Sequence, residues 1–308
     1  MESDHLDRRA RPDWLAVDHC RTPNGWALRR FRSGPNWKGS ILFQTGRADF
    51  FEKYLEAIAH WRSLGWSVEG FDWRGQGGSG RLVADPHVGH APPFGLLVQD
   101  LAAYVDDWRA RTSGPHVLIG HSMGAHLLLR LLAERPPKVD GVVLLSPMLG
   151  LRAGPLPEVL ARLITRIACG LGYGKRSVWK SGNEGSGHRR RNLTHDVERF
   201  EDEMWWRRSD PMLDVGPPSW KWMLRAWNSI AKLKSRDVIE RIDTPVLVLY
   251  AERDRLVRAS AIRKICARLP NARLRSHREA AHELLREADA IRAWAEEEID
   301  GFLRAIAT

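Results

Sequence analysis

Gly120-His121-Ser122-Met123-Gly124 lies between an apolar run, His116-Val117-Leu118-Ile119-Gly120, and a run with helical patterning, Ala125 to Glu134. This order predicts a serine in a tight turn that leads from a buried strand into a helix. Such a turn strains the serine backbone, and the flanking glycines let neighbouring chain approach without a Cβ clash. The strain carries Oγ out of the sheet, and the following helix brings its N-terminal N–H groups and positive dipole end to the same point. The context reads as a nucleophilic serine at Ser122. Without the strand before and the helix after, the pentapeptide would be only a glycine-rich turn with a surface serine.

Outward from this turn, short apolar runs alternate with helix-patterned segments, as in a sheet wound with helices on both faces. Strands are expected at 40–45, 67–72, 117–120, 141–146 and 245–250, with a weaker one at 272–276. Helices are expected at 51–64, 96–111, 125–135 and 288–307, and an N-terminal hairpin at 14–20 and 26–31 around Asn24-Gly25. After Ser146-Pro147-Met148-Leu149-Gly150 the rhythm breaks. The next stretch offers helical patches at 157–169, 196–206 and 219–233 and a glycine-rich basic run at 172–191, with no convincing strand. The expected organisation is a core of residues 1–150 and 236–308, interrupted by a helical cap at 151–235.

Composition narrows the function classes. The chain has 308 residues, 43% of them hydrophobic, enough to bury a large core. No apolar run reaches the ~20 residues of a membrane span, and the charged start does not read as a secretory signal, so a cytoplasmic protein is expected. Cys20, Cys169 and Cys266 are odd in number and far apart, which argues against a disulfide framework and a cysteine-rich metal site. Of the formal net charge of +10, residues 151–235 contribute +7, from 16 Lys and Arg against 9 Asp and Glu. The same segment holds Trp179, Trp205, Trp206, Trp220, Trp222 and Trp227. Basic residues mixed with tryptophan suit an anionic membrane surface, possible as a peripheral contact at the inner membrane face. A solvated basic face over core aromatics is the equal alternative. No nucleic-acid-binding module accompanies the charge.

A serine nucleophile needs a base within hydrogen-bond reach and an acid to orient that base. Asp254 follows the strand at 245–250, at the sheet edge where open α/β sheets bind ligands. His282, in Ala280-Ala281-His282-Glu283, follows the last candidate strand and completes the chain order Ser, Asp, His. Glu252 sits closer to its strand, His277 lies in or just beyond the last strand, and His121 is confined within the turn, so all three are weaker candidates. The oxyanion donors expected are the backbone N–H groups of Met123 and of Arg47, with Gly46 allowing the turn after the first parallel strand. For the Arg47 side chain the default is a surface arginine with no catalytic role, and reach to an anionic headgroup is the alternative. No cofactor and no metal are required.

These segments give the chain a family likeness. Thr45-Gly46-Arg47, Asp72-Trp73-Arg74-Gly75-Gln76-Gly77-Gly78-Ser79-Gly80, Gly120 to Gly124, Ser146-Pro147-Met148, Asn192-Leu193-Thr194-His195-Asp196, Asp254 and Ala281-His282-Glu283 run in one order along the sequence. On them the chain resembles α/β-hydrolases of the bacterial lysophospholipase and monoacylglycerol lipase group, which are similar to serine aminopeptidase-like hydrolases. The resemblance implies an α/β-hydrolase fold and hydrolysis of a carboxylic ester in a lipid with a single acyl chain. Acyl transfer and cleavage of small peptides by the same triad are alternatives, and a non-catalytic membrane-binding module is a third. Two departures stand out. Thr45-Gly46-Arg47 replaces the His-Gly form of monoacylglycerol lipases and looks more like the lysophospholipase form. Gln76 stands where the family usually carries His, in a turn expected to be structural and of little catalytic effect.

Overall fold

The computed structural model describes residues 6–34, 37–152, 154, 156–180, 187–235 and 237–307. Residues 181–186 of the glycine-rich basic run lie outside the described residues. The strands are β1 (Ala16–Arg21), β2 (Ala27–Arg32), β3 (Gly39–Gln44), β4 (Trp66–Phe71), β5 (His116–His121), β6 (Gly141–Leu145), β7 (Val246–Ala251) and β8 (Ala272–His277). They form one sheet in the order β1-β2-β4-β3-β5-β6-β7-β8. The N-terminal hairpin joins it antiparallel, through β2 on β4, and every pairing from β4 to β8 is parallel.

The central strands read as unbroken apolar runs because both of their faces are covered. Leu42, Leu118, Val142, Leu144 and Val248 face one hydrophobic cluster. Ile41, Phe43, Val117, Ile119, Val143, Leu145, Leu247 and Leu249 face the other. At the edge, β8 alternates instead, with Arg273 and Arg275 exposed. Charged side chains there discourage further strand pairing.

The helices are α1 (Leu55–Ser63), α2 (Phe94–Arg111), α3 (Met123–Glu134), α4 (Glu158–Gly170), α5 (Gly187–Leu193), α6 (Val197–Ser209), α7 (Trp220–Lys234), α8 (Ala259–Cys266) and α9 (Asp289–Ala307). The expected helix at 51–64 opens instead with a 3-10 turn, Phe51–Tyr54. Between β6 and β7 the described residues add helices α4 to α7 and no strand of the sheet. The last of them is also a core helix. Trp222, Ala226, Ile230 and Leu233 of α7 join the cluster that buries α2 and α3, and Ser229 accepts a 2.8 Å hydrogen bond from Arg130 of α3.

The residues ahead of β1 cross this helical segment and fasten it. Arg8 and Arg9 both reach Asp202 of α6, at 2.5 and 2.6 Å. Trp206 donates its indole N–H to the Arg8 carbonyl at 2.9 Å.

Candidate active site

Four loops at the carboxyl ends of parallel strands meet at one point: those after β3, β5, β7 and β8. Ser122 follows β5 directly and caps α3, with φ +51 and ψ −109, a strained conformation for a non-glycine residue. The surroundings hold it there. Its N–H donates to the Leu145 carbonyl at 2.9 Å, and its own carbonyl accepts from Met148 N at 3.0 Å. Gly124 has a steric reason: a Cβ there would stand 2.5 Å from the carbonyl oxygens of Gln44 and Thr45. Only glycine lets the first turn of α3 lie against the end of β3.

Ser122 Oγ lies 2.9 Å from His282 Nε2, and His282 Nδ1 lies 2.6 Å from Asp254 Oδ2. These distances require the Nδ1–H tautomer, with Nε2 free to accept from the serine. The other Asp254 oxygen accepts from Leu256 N at 2.7 Å and Val257 N at 2.9 Å, which locks the carboxylate. Burial opposes ionisation of Asp254, but His282 and these two amides outweigh it and lower its pKa. Burial likewise opposes protonation of His282, and the adjacent Asp254 carboxylate reverses the sign and raises its pKa.

The weaker candidates lie elsewhere. Glu252 is exposed and accepts from Ser276, and His277 packs beside Trp294. His121 is buried, its Nδ1 3.0 Å from the Tyr54 hydroxyl and 3.2 Å from Asp49. Met123 opens α3, so its amide is among the four that a helix leaves without an internal acceptor. Arg47 lies in the turn after β3, and its amide has no acceptor among the described residues.

A buried charge cluster beside the histidine loop escapes the sequence reading. Lys53 Nζ contacts Asp49 at 2.5 Å, Glu283 at 2.7 Å and Glu203 of α6 at 3.1 Å. Arg286 bridges Glu203 and Glu283. The available signal was local: Asp49 and Lys53 flank the aromatic pair Phe50-Phe51, and charges in an apolar run must find partners once buried. Asn192-Leu193-Thr194-His195-Asp196 docks on the same loop, with Leu193 O accepting from Glu283 N at 2.8 Å and Thr194 Oγ donating to Arg286 O at 2.6 Å.

Ser122 and His282 open into a cavity of about 840 Å³, a size suited to a small lipid. Leu156, Ile164, Leu193, Trp222, Met223 and Trp227 give it apolar walls. Three cations also line it, Arg47, Arg152 and Lys180, and no carboxylate of the described residues pairs with any of them. Arg47 donates to the Gly216 carbonyl at 2.9 Å and stacks over Trp222. Burial, with Arg189 and Arg207 nearby, pushes its pKa down to about 10.

The sheet order, the strained serine after β5 and the convergence of loops at one sheet edge define an α/β-hydrolase. The chain belongs to the Hydrolase_4 family, described as serine aminopeptidase, S33, whose model matches residues 35–289. It is 32% identical to the probable lysophospholipase L2 of Haemophilus influenzae over 266 residues, 85% of this chain and 83% of that protein. With lysophospholipase L2 of Escherichia coli K12 it shares 30% over 281 residues, 83% of this chain and 77% of that one. A soluble variant of monoglyceride lipase from Saccharomyces cerevisiae, solved with a substrate analogue, superposes with a TM-score of 0.76 at 16% identity. That likeness covers 98% of this chain and 99% of the other and shows the fold.

Proposed function

We propose that the protein is a carboxylic ester hydrolase of lipids with a single acyl chain, acting through an acyl-enzyme on Ser122. The observation that carries this reading is the unbroken chain Ser122–His282–Asp254 on the wall of an apolar cavity. His282 takes the Ser122 proton as Oγ attacks the acyl carbonyl. The amides of Met123 and Arg47 receive the oxyanion. Asp254 stabilises the imidazolium, which then protonates the leaving alcohol, and water releases the fatty acid by the same two steps. Residues 151–235 act as the cap that supplies the acyl channel.

The surplus cations favour a lysophospholipid over a neutral monoacylglycerol, because a phosphate supplies the negative charge that Arg47, Arg152 and Lys180 lack. The carboxylates that the described residues give the lining, Asp49 and Glu283, are both taken by Lys53. None of them is left to hold the free amino group of a peptide, which disfavours an aminopeptidase. Outside the cavity, Val159 (80% exposed), Leu163 and Ile167 project from α4 in a segment of positive charge. This face is the contact with an anionic membrane surface. No helix of the described residues is long and apolar enough to cross a membrane.

A fluorophosphonate is expected to label the protein at Ser122, and Ser122→Ala to lose labelling together with on the order of 10⁴-fold of esterase activity. A panel of lysophosphatidylcholine, lysophosphatidylglycerol and monoacylglycerol of one chain length ranks the headgroups. Labelling or turnover retained in Ser122→Ala would remove the reading.

A further inference from the structure

The turn Gly46-Arg47-Ala48 leaves β3 and enters neither sheet nor helix, so nothing regular fixes its amides. Side chains do so instead. Gly46 N donates to Asp49 Oδ2 at 3.0 Å, and Gly46 O accepts from Gln76 Nε2 at 2.7 Å. Ala48 N donates to Gln76 Oε1 at 3.1 Å, and Ala48 O accepts from Arg207 Nη2 at 2.9 Å. Both polar groups of the residue before Arg47 and both of the residue after it are thus held. The Arg47 amide between them has no acceptor among the described residues, and Arg47 lines the cavity.

The frame is needed because the turn is strained. Ala48 has φ +56, a left-handed conformation that a side chain disfavours. The members of the frame are themselves fixed. Asp49 is gripped by Lys53 at 2.5 Å and by the Tyr54 hydroxyl at 2.9 Å. Arg207 reaches the turn from α6, held by Glu203 at 2.9 Å and by Asp214 at 2.8 Å. Gln76 comes from the glycine-rich turn after β4, so that turn, expected to have little effect on catalysis, bonds the oxyanion loop directly.

We infer that Gln76 and Arg207 are positioning residues for the oxyanion: together they aim the Arg47 amide, so a cap helix sets transition-state stabilisation without touching substrate. This rests on the reading of Met123 and Arg47 as the amide donors. It goes further in giving one residue of the core turn and one of the cap a share in the rate. A preset donor needs no reorganisation when charge develops, whereas a loosened one does.

The test compares wild type with Gln76→Leu, Arg207→Met, Arg207→Lys and Arg8→Met. Rates on p-nitrophenyl butyrate are normalised to sites titrated with a fluorophosphonate. Affinity is measured for a short alkyl trifluoromethyl ketone, whose adduct with Ser122 carries an oxyanion. Gln76→Leu and Arg207→Met are expected to lower kcat about 10- to 100-fold with KM changed less than about threefold, and to weaken the ketone by the same factor. Arg207→Lys keeps a donor for the Ala48 carbonyl and recovers part of the loss. Arg8→Met removes ties to Asp202 and Glu198 of α6 that reach neither the turn nor the histidine loop; it lowers the melting temperature and leaves kcat and ketone affinity in place.

Unchanged kcat and ketone affinity in the frame variants overturns the inference, as does a loss confined to KM or an equal loss in Arg8→Met. Should Arg207→Met not fold, Gln76→Leu decides alone. A wild-type protein that the fluorophosphonate does not label fails the underlying reading of the site. A labelled, active wild type whose frame variants behave normally fails this inference only.

Discussion

Helices α4 and α6 have 13 residues each and sit in the same segment between β6 and β7, yet they are built on opposite terms. Helix α4 is rich in Leu, Ile and Val and buries only Ala161 and Thr165. Helix α6 carries seven charged residues and buries Arg199, Phe200, Asp202, Glu203, Trp206 and Arg207. Composition alone would exchange their places. The difference shows what holds each one. Helix α6 is fixed by paired charges that reach the core, the chain's first described residues and the turn Gly46-Arg47-Ala48. Helix α4 exposes apolar surface that none of the described residues covers, and its inner face lines the cavity.

The largest effect that would break this contrast is expected at Glu203, which is fully buried among Lys53, Arg189, Arg207 and Arg286. Glu203→Ala leaves these cations without their shared partner and should cost about 3–5 kcal/mol in chemical denaturation. A loss under about 1 kcal/mol would mean that the charges do not hold α6. The opposite is expected of α4. The double substitution Val159→Glu and Ile167→Glu should change stability by no more than about 0.5 kcal/mol for each surface site. It should also release the protein from anionic vesicles in a sedimentation assay, with roughly tenfold lower turnover of vesicle-borne lysolipid. Undiminished vesicle binding would show that α4 is not the contact.

The smallest effect is in pH. Asp254 raises the His282 pKa above its ordinary value of 6.5, and the reaction needs neutral imidazole. Activity should therefore rise with pH along an acid limb whose midpoint lies above 6.5. The linked stability runs the other way: it is fully present below the unfolded pKa and fades as pH rises through the folded one. Helix α4 has no bond to the histidine loop, so its double variant should keep the same acid limb on a short soluble ester. A displaced limb there would join the two helices that the structure separates.

The fold was legible because its determinants are local. Val117 to Gly124 contains strand, elbow and helix start in one run, and the strands expected at 40–45, 67–72, 141–146 and 245–250 shift by one residue at most. Asp254 and His282 were expected from chain order, and the fold brings both side chains into line with Ser122. The frame around Arg47 was not legible. Gln76 and Arg207 are single residues from distant segments, and no periodicity records which carbonyl a side chain will meet. The tryptophans left two readings equally open. Trp206, Trp222 and Trp227 are buried, Trp205 and Trp220 half-buried, and only Trp179 of the six is largely exposed. Their amphipathic chemistry suits a headgroup layer or a core equally well, and tertiary packing chose the core for most of them. The exposed apolar surface belongs to aliphatic residues of α4, whose helical spacing reads the same whichever side they face.

The fastening of α6 by the chain's first described residues bears on how the protein comes to be active at all. Arg8 meets Asp202 across 194 positions, and Lys53 meets Glu283 across 230. Contacts of such sequence separation form late, because long loops must close before they are rewarded. A nascent chain that has just completed the elbow holds Ser122, but neither His282, which lies 2.9 Å from it in the folded chain, nor helix α6. The serine and its hydrogen-bond partner therefore come together only after residue 282 has been made.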